Sequence, residues 1–97
     1  MNSWLRAIDS ATTEAEIVSQ TRDFLSLVHP RDLQPLPEEC RDLRVESNDD
    51  IRRVKERLAR GCAALRTHPD EADRVQALLS YVARASDRIG EIHSQSM

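Results

Sequence analysis

Ninety-seven residues, 39% of them hydrophobic, suffice for one domain with a single core. The formal net charge of −3 argues against a general polyanion binder, which draws its free energy from Lys and Arg on phosphates. Trp4, Phe24 and Tyr81 are the only aromatic residues, so the core rests on Leu, Ile, Val and Ala, which suit thin helical layers and not a deep cofactor pocket.

In chain order, Ser3 caps a short first helix near residues 3–10 carrying Trp4, Leu5 and Ile8. Thr13-Glu14-Ala15-Glu16 matches the capping box, in which the Thr hydroxyl takes the third amide of the helix and the Glu reaches back to the cap amide. It opens a second helix near 13–28 with Ile17, Thr21, Phe24 and Val28 on one face. Pro30 keeps His29 out of helical dihedrals and so ends that helix.

Residues 29–47 are punctuated by Pro30, Pro35 and Pro37. Two single helical turns are expected there, Arg31-Asp32-Leu33 and Pro37-Glu38-Glu39-Cys40, each with Pro in its first position. Leu33, Leu36, Leu43 and Val45 recur through the segment, which reads as a packed strap across the bundle; an unpacked linker of this length is unusual inside a compact domain.

Ser47 caps a third helix, 48–66. Its residues Ile51, Val54, Leu58, Cys62 and Leu65 form a narrow stripe. A fourth helix, 69–93, carries Val75, Leu78, Val82, Ala85, Ile89 and Ile92 at alternating steps of three and four. Joined by a tight turn, the two stripes bury each other as an antiparallel hairpin. Gly61 interrupts the third helix at a cost of about 1 kcal/mol against alanine, which points to close approach of another backbone, with Ala83, Ala85 and Ser86 as the opposite wall, or to a kink. Ala72, Leu79 and Tyr81 widen the apolar face of the fourth helix to about half the wheel, enough for two neighbours or a second copy of the chain. The fold class is therefore all-α: a small antiparallel helical bundle, one domain over 1–97, built on a long C-terminal helical hairpin.

Charge is unevenly placed, with 5 basic and 11 acidic side chains in residues 1–50 against 9 and 6 in residues 51–97. Much of this follows helix polarity: Asp49, Asp50, Asp70, Glu71 and Asp73 lie at helix starts, and Arg60 and Arg66 toward a helix end. Cys40 and Cys62 lack CxxC spacing, and Met1-Asn2-Ser3-Trp4-Leu5-Arg6 has no apolar signal core, so a reducing cytoplasm is expected. Cys62 reads as a small buried hydrophobe and Cys40 as exposed. No run approaches the roughly 18 apolar residues of a membrane span.

His68-Pro69-Asp70 resembles the loop signature of J-domain co-chaperones, and Ile51-Arg52-Arg53 with Arg57-Leu58-Ala59 resembles that family's basic helix. The resemblance implies contact with a heat-shock chaperone. Residues 60–67 lengthen the approach to the histidine, however, and the aromatic-lysine lead-in and the long loop after the aspartate are absent. The same three residues make a complete helix start, with Thr67 or His68 as cap, Pro69 in the first position and Asp70 at the positive helix end. Together with Thr13-Glu14-Ala15-Glu16 the turn is also similar to the small acidic immunity proteins of nuclease bacteriocins, which lend their carboxylates to a basic cleft; their paired tyrosines are missing.

His29, Cys40, Cys62, His68 and His93 show no ligand spacing, and neither a nucleophile elbow nor a Gly-rich phosphate loop is present. No enzyme, metal or cofactor is expected. The expected function is a non-catalytic protein–protein interaction module, a small adaptor, regulator or inhibitor, binding another protein or a second copy of itself. Leu79, Tyr81 and Ile92 are its candidate partner-binding residues. The alternative is a nucleic-acid-binding regulator using Arg52, Arg53, Lys55, Arg57, Arg60 and Arg66 on the basic face of helix 48–66; its connection lacks the usual turn glycine and the following helix is acidic.

Overall fold

The computed structural model describes residues 2–95; Met1, Ser96 and Met97, the ends of the expected domain, lie outside the described residues. The described chain is all-α: α1 (Asn2–Ser10), α2 (Glu14–Ser26), the single turn α3 (Pro30–Leu33), a 3₁₀ turn (Glu38–Cys40), α4 (Asn48–Ala64) and α5 (Pro69–Gln95). At about 1.5 Å per residue, the 27 residues of α5 run the length of a molecule measuring 43 × 24 × 19 Å. All the larger packing is against α5: α4 covers one side and α1 with α2 the other.

Two helix starts share one device. The Thr13 hydroxyl accepts from the Glu16 amide at 3.2 Å and the Ser47 hydroxyl from the Asp50 amide at 3.3 Å. The acid in the third helical position then reaches past the cap, Glu16 to the Thr12 amide at 3.4 Å and Asp50 to the Glu46 amide at 2.9 Å. The expected capping box is thus displaced by one residue on its return arm. α2 ends two residues early, at Ser26, where the Leu27 amide turns back to Phe24. Pro30 does stand at the start of α3, with His29 Nδ1 accepting from the Arg31 amide. Pro37 instead precedes its turn, and its carbonyl accepts from the Cys40 amide at 2.8 Å.

The α4 stripe is Ile51, Val54, Leu58, Gly61 and Leu65. Gly61 replaces Cys62 in the expected seam, because the three-four alternation from Ile51 continues through position 61. Of the two cysteines, Cys40 is 1% exposed where exposure was expected, and Cys62 is half-buried against the edge of the core where full burial was expected. Gly61 is a notch for the strap, and not for α5. A Cβ built there would overlap Leu36 Cδ2, with Leu36 Cγ at 3.5 Å. Leu36 is itself fully buried.

Tyr81 is 0% exposed. It stacks on Phe24 at 3.9 Å between ring centroids, and Trp4 meets both rings edge-on. Burial pushes the phenol up to about 12, opposed by the nearby Thr21 hydroxyl, yet neither hydroxyl reaches hydrogen-bond geometry. At the other end of α5, Arg88 Nη2 donates to the Ala11 carbonyl at 2.9 Å and Nη1 to Glu91 at 3.1 Å. Arg84 bridges Asp9 at 2.7 Å and Glu91 at 3.0 Å, so α1 is tied to α5 at its C-terminal end.

Three expectations follow. Gly61→Ala sets a helix-propensity gain of about 1 kcal/mol against overpacking of about 1–3 kcal/mol; it should destabilise, and Leu36→Ala should cost less in the Gly61→Ala background than in the wild type. A double-mutant cycle by urea unfolding reads this coupling. Thr21→Val combined with Tyr81→Phe should keep or raise stability by about 1 kcal/mol, since it removes two unmade buried hydrogen bonds; a clear loss of stability would mean the hydroxyls are paired.

The third expectation concerns acid. Hydrogen bonds from Arg84 and then Arg88 hold the Glu91 carboxyl below its usual range. A depressed carboxylate stabilises the fold above its unfolded pKa, and that contribution is lost as pH falls through the folded value. Glu91→Gln should therefore lower the melting temperature at neutral pH. The difference from wild type should shrink below about pH 4, as read by melting curves across a pH series at low salt.

Candidate functional site

The three residues expected at a partner surface separate. Tyr81 lies in the core, because α1 and α2 together cover the side of α5 it projects from and supply Trp4 and Phe24 to enclose it; as a surface contact it is corrected. Leu79 and Ile92 are half-buried and pack against the edge of the core. They are 13 positions apart on α5, and with Tyr81 buried the three form no single exposed patch.

The basic face of α4 is interleaved with acids. Arg53 pairs with Asp50 at 3.4 Å, Arg60 with Glu56 at 3.8 Å, and Arg57 Nη1 donates to the Asp42 carbonyl at 2.8 Å. Asp42, Glu46 and Asp50 line a polar hollow with Arg44, Arg53 and Arg57. The Asp42 carboxyl is held low by hydrogen bonds from Arg44, with Arg57 adding its charge. Arg52, Lys55 and Arg66 have no charged partner among the described residues.

His68-Pro69-Asp70 forms the start of α5. The His68 carbonyl accepts from the Ala72 amide at 2.9 Å, Pro69 is the first helical residue, and Asp70 and Glu71 occupy the first turn. His68 Nδ1 lies 3.8 Å from Glu71. Every residue of the turn is thus occupied in starting the helix.

A groove that the periodicities did not locate runs between α2 and the strap. About 360 Å³ in volume, it is lined by Arg22, Leu25 and Ser26 from α2 and by the run from Arg41 to Glu46. A second hollow, lined by Glu14, Ala15, Val18, Ser19, Ser47 and Asn48, continues it and shares Arg22 and Glu46. The strap residues alternate: Asp42, Arg44 and Glu46 are exposed, Leu43 is half-buried and Val45 buried. That period of two is the signature of an extended chain with one side on the core, and it was the available signal in the sequence.

Two ties hold the strap to α4, Leu36 in the Gly61 notch and Arg57 on the Asp42 carbonyl; within the strap, Arg41 clasps the Gln34 and Leu36 carbonyls at 2.9 Å each. The groove is lined by the apolar Leu25, Leu43 and Val45, by Arg22, Arg41 and Arg44, and by the acidic Asp42 and Glu46. Arg22 has no partner among the described residues. Next to Ser26, Leu27 is the large hydrophobic residue left exposed among the described residues, at 68%.

Among the described residues no three His, Cys, Asp or Glu side chains converge as metal ligands, and no helix is long and apolar enough to cross a membrane. No protein-family model, curated protein or solved structure matches this chain.

Proposed function

We propose that this chain is a non-catalytic protein-interaction module, a small adaptor, regulator or inhibitor, that engages its partner along the groove between α2 and the strap. One observation carries the reading: a groove that brings Leu25, Leu43 and Val45 together with three arginines, on a wall fixed to the helical hairpin. Apolar area ringed by guanidinium groups is the composition favoured where proteins dock, since Arg couples a flat apolar stem to several donors. The free cysteines fit a reducing cytoplasm as its setting. Nucleic-acid binding through α4 ranks second, because Arg53, Arg57 and Arg60 already have partners.

The test is a tagged pull-down from the source cell, followed by reconstitution of the retained protein with the purified chain. Leu43→Asp and Arg22→Glu should each weaken the reconstituted complex about tenfold or more. Failure to retain any protein overturns the reading, and a nucleic acid whose binding falls steeply with salt replaces it with the second.

Self-association would use the half-buried edge at Leu79 and Ile92. Sedimentation equilibrium of wild type and Leu79→Glu over a wide concentration range should then show a dimer in the wild type alone. A wild type that remains monomeric throughout removes self-association.

A further inference from the structure

One face of the hairpin is covered by no other part of the described chain. α5 carries α1 and α2 on the side of Tyr81, Arg84 and Arg88, and α4 carries the strap on the side of Gly61 and Arg57. At 3.6 residues per turn, Ala72, Gln76, Leu79, Ala83, Ser86 and Gly90 lie beyond Val75 and Val82 from Tyr81, at alternating steps of four and three. On α4, Arg52, Lys55, Cys62 and Arg66 lie beyond Ile51 and Leu58 from Gly61. The two helices are antiparallel neighbours, so both sets share the outer face of the hairpin, opposite α1 and α2.

Charge divides this face lengthwise. Arg52, Lys55 and Arg66 make a basic row along its α4 edge, and Asp73 and Asp87 make an acidic row along its α5 edge. None of the five has a charged partner among the described residues. Outside the basic row, Glu56 is taken by Arg60 and Asp49 belongs to the first turn of α4. Arg52 and Arg66 are 14 positions apart, as are Asp73 and Asp87, which is about 21 Å at about 1.5 Å per residue. The turn between the helices sets Arg66 near the level of Asp73, and therefore Arg52 near that of Asp87.

Deepening the self-association considered above, we propose that a second copy of this chain docks on this face about a twofold axis parallel to the hairpin, α4 of each copy lying over α5 of the other. Such an axis keeps every residue at its own level and exchanges the two edges. Arg52 of each copy then meets Asp87 of the other, and Arg66 meets Asp73. The equal spacing of the two rows singles out a second copy, because the face is complementary to itself. Ala72, Ala83 and Ser86 allow the helices to close, and the half-buried Leu79 and Cys62 lose their remaining exposure at the centre. Ile92 falls on the side of Tyr81 and takes no part. Gly90 lies on the same row, and no atom of its own chain comes within 4 Å of a Cβ built there. Nothing within one copy therefore calls for a glycine in the helix interior, where it is unfavourable. The groove between α2 and the strap stays free in this dimer.

Sedimentation equilibrium of the full chain over a wide concentration range tests the pairing. The wild type should form a reversible dimer. Arg52→Glu and Asp87→Arg, both at exposed positions, should each weaken it about tenfold or more, with helicity by circular dichroism unchanged. An equimolar mixture of the two variants should regain wild-type affinity, since in the mixed dimer each introduced charge meets an opposite one. A wild type that stays monomeric throughout overturns the proposal, and so does a dimer indifferent to both substitutions. Loss of the dimer in each variant without recovery in the mixture overturns the twofold pairing. The interaction reading at the groove is judged separately, by Leu43→Asp and Arg22→Glu in the reconstituted complex, and stands or falls without this result.

Discussion

Because position 61 has no side chain, Leu36 can reach the surface of α4, and the course of the whole strap depends on that seat. A proline-punctuated segment has few backbone bonds of its own to hold it. Its place is set by what it buries: Leu36 on Gly61, then Cys40 and Val45 on the same core. Once Leu36 is seated, Arg41 folds back onto the Gln34 and Leu36 carbonyls and Arg57 reaches Asp42. The helix tolerates the glycine because burial of a leucine, worth about 1.5–3 kcal/mol, exceeds its propensity penalty of about 1 kcal/mol. Without the notch the strap would ride higher on α4, and its groove against α2 would change shape.

α5 serves as the shared wall of two half-cores. Toward α4 it presents the aliphatic residues that interlock with Ile51, Val54 and Leu58; toward α1 and α2 it presents Tyr81, enclosed by Trp4 and Phe24. The second half is less well satisfied. The hydroxyls of Thr21 and Tyr81 are buried without partners, as are Gln20 Oε1 and Arg88 Nε, and each unmade bond costs about 1–3 kcal/mol. The Asp9–Arg84–Glu91–Arg88 network at the far end holds α1 in place, although Arg84 and Glu91 are partly open to water, where such pairs contribute little each. α1 is therefore secured more by Trp4 and Ile8 than by its ion pairs.

Where one helix face decides the outcome, the sequence was readable. The three-four alternation in α4 and α5, the caps at Thr13 and Ser47 and the start at Pro69 depend on neighbours within a turn or two. Tyr81 was not readable in the same way: its burial requires α1 to bring Trp4 across 77 positions of chain, and periodicity in α5 carries no record of that. Cys62 and Gly61 are adjacent, so a shift of one position in the seam exchanged their roles and left Gly61 to the strap. The groove escaped for a related reason. The alternation from Asp42 to Glu46 declares an extended chain, but the wall opposite it comes from α2, whose inner face looks from sequence alone like ordinary core.

The division between hairpin and strap also bears on the groove proposed as a docking site. A helix engages its backbone groups internally and offers a partner side chains alone. In the groove, α2 supplies Arg22, Leu25 and Ser26 on one side, and the strap supplies Leu43, Val45 and the Asp42–Arg44 pair on the other. A loop pinned to a rigid hairpin is the arrangement by which binding surfaces are commonly carried on stable scaffolds. The same pinning limits the ordering that docking in the proposed groove would require, since the strap is already held by Leu36, Arg41 and Arg57, and affinity lost to ordering would be correspondingly small.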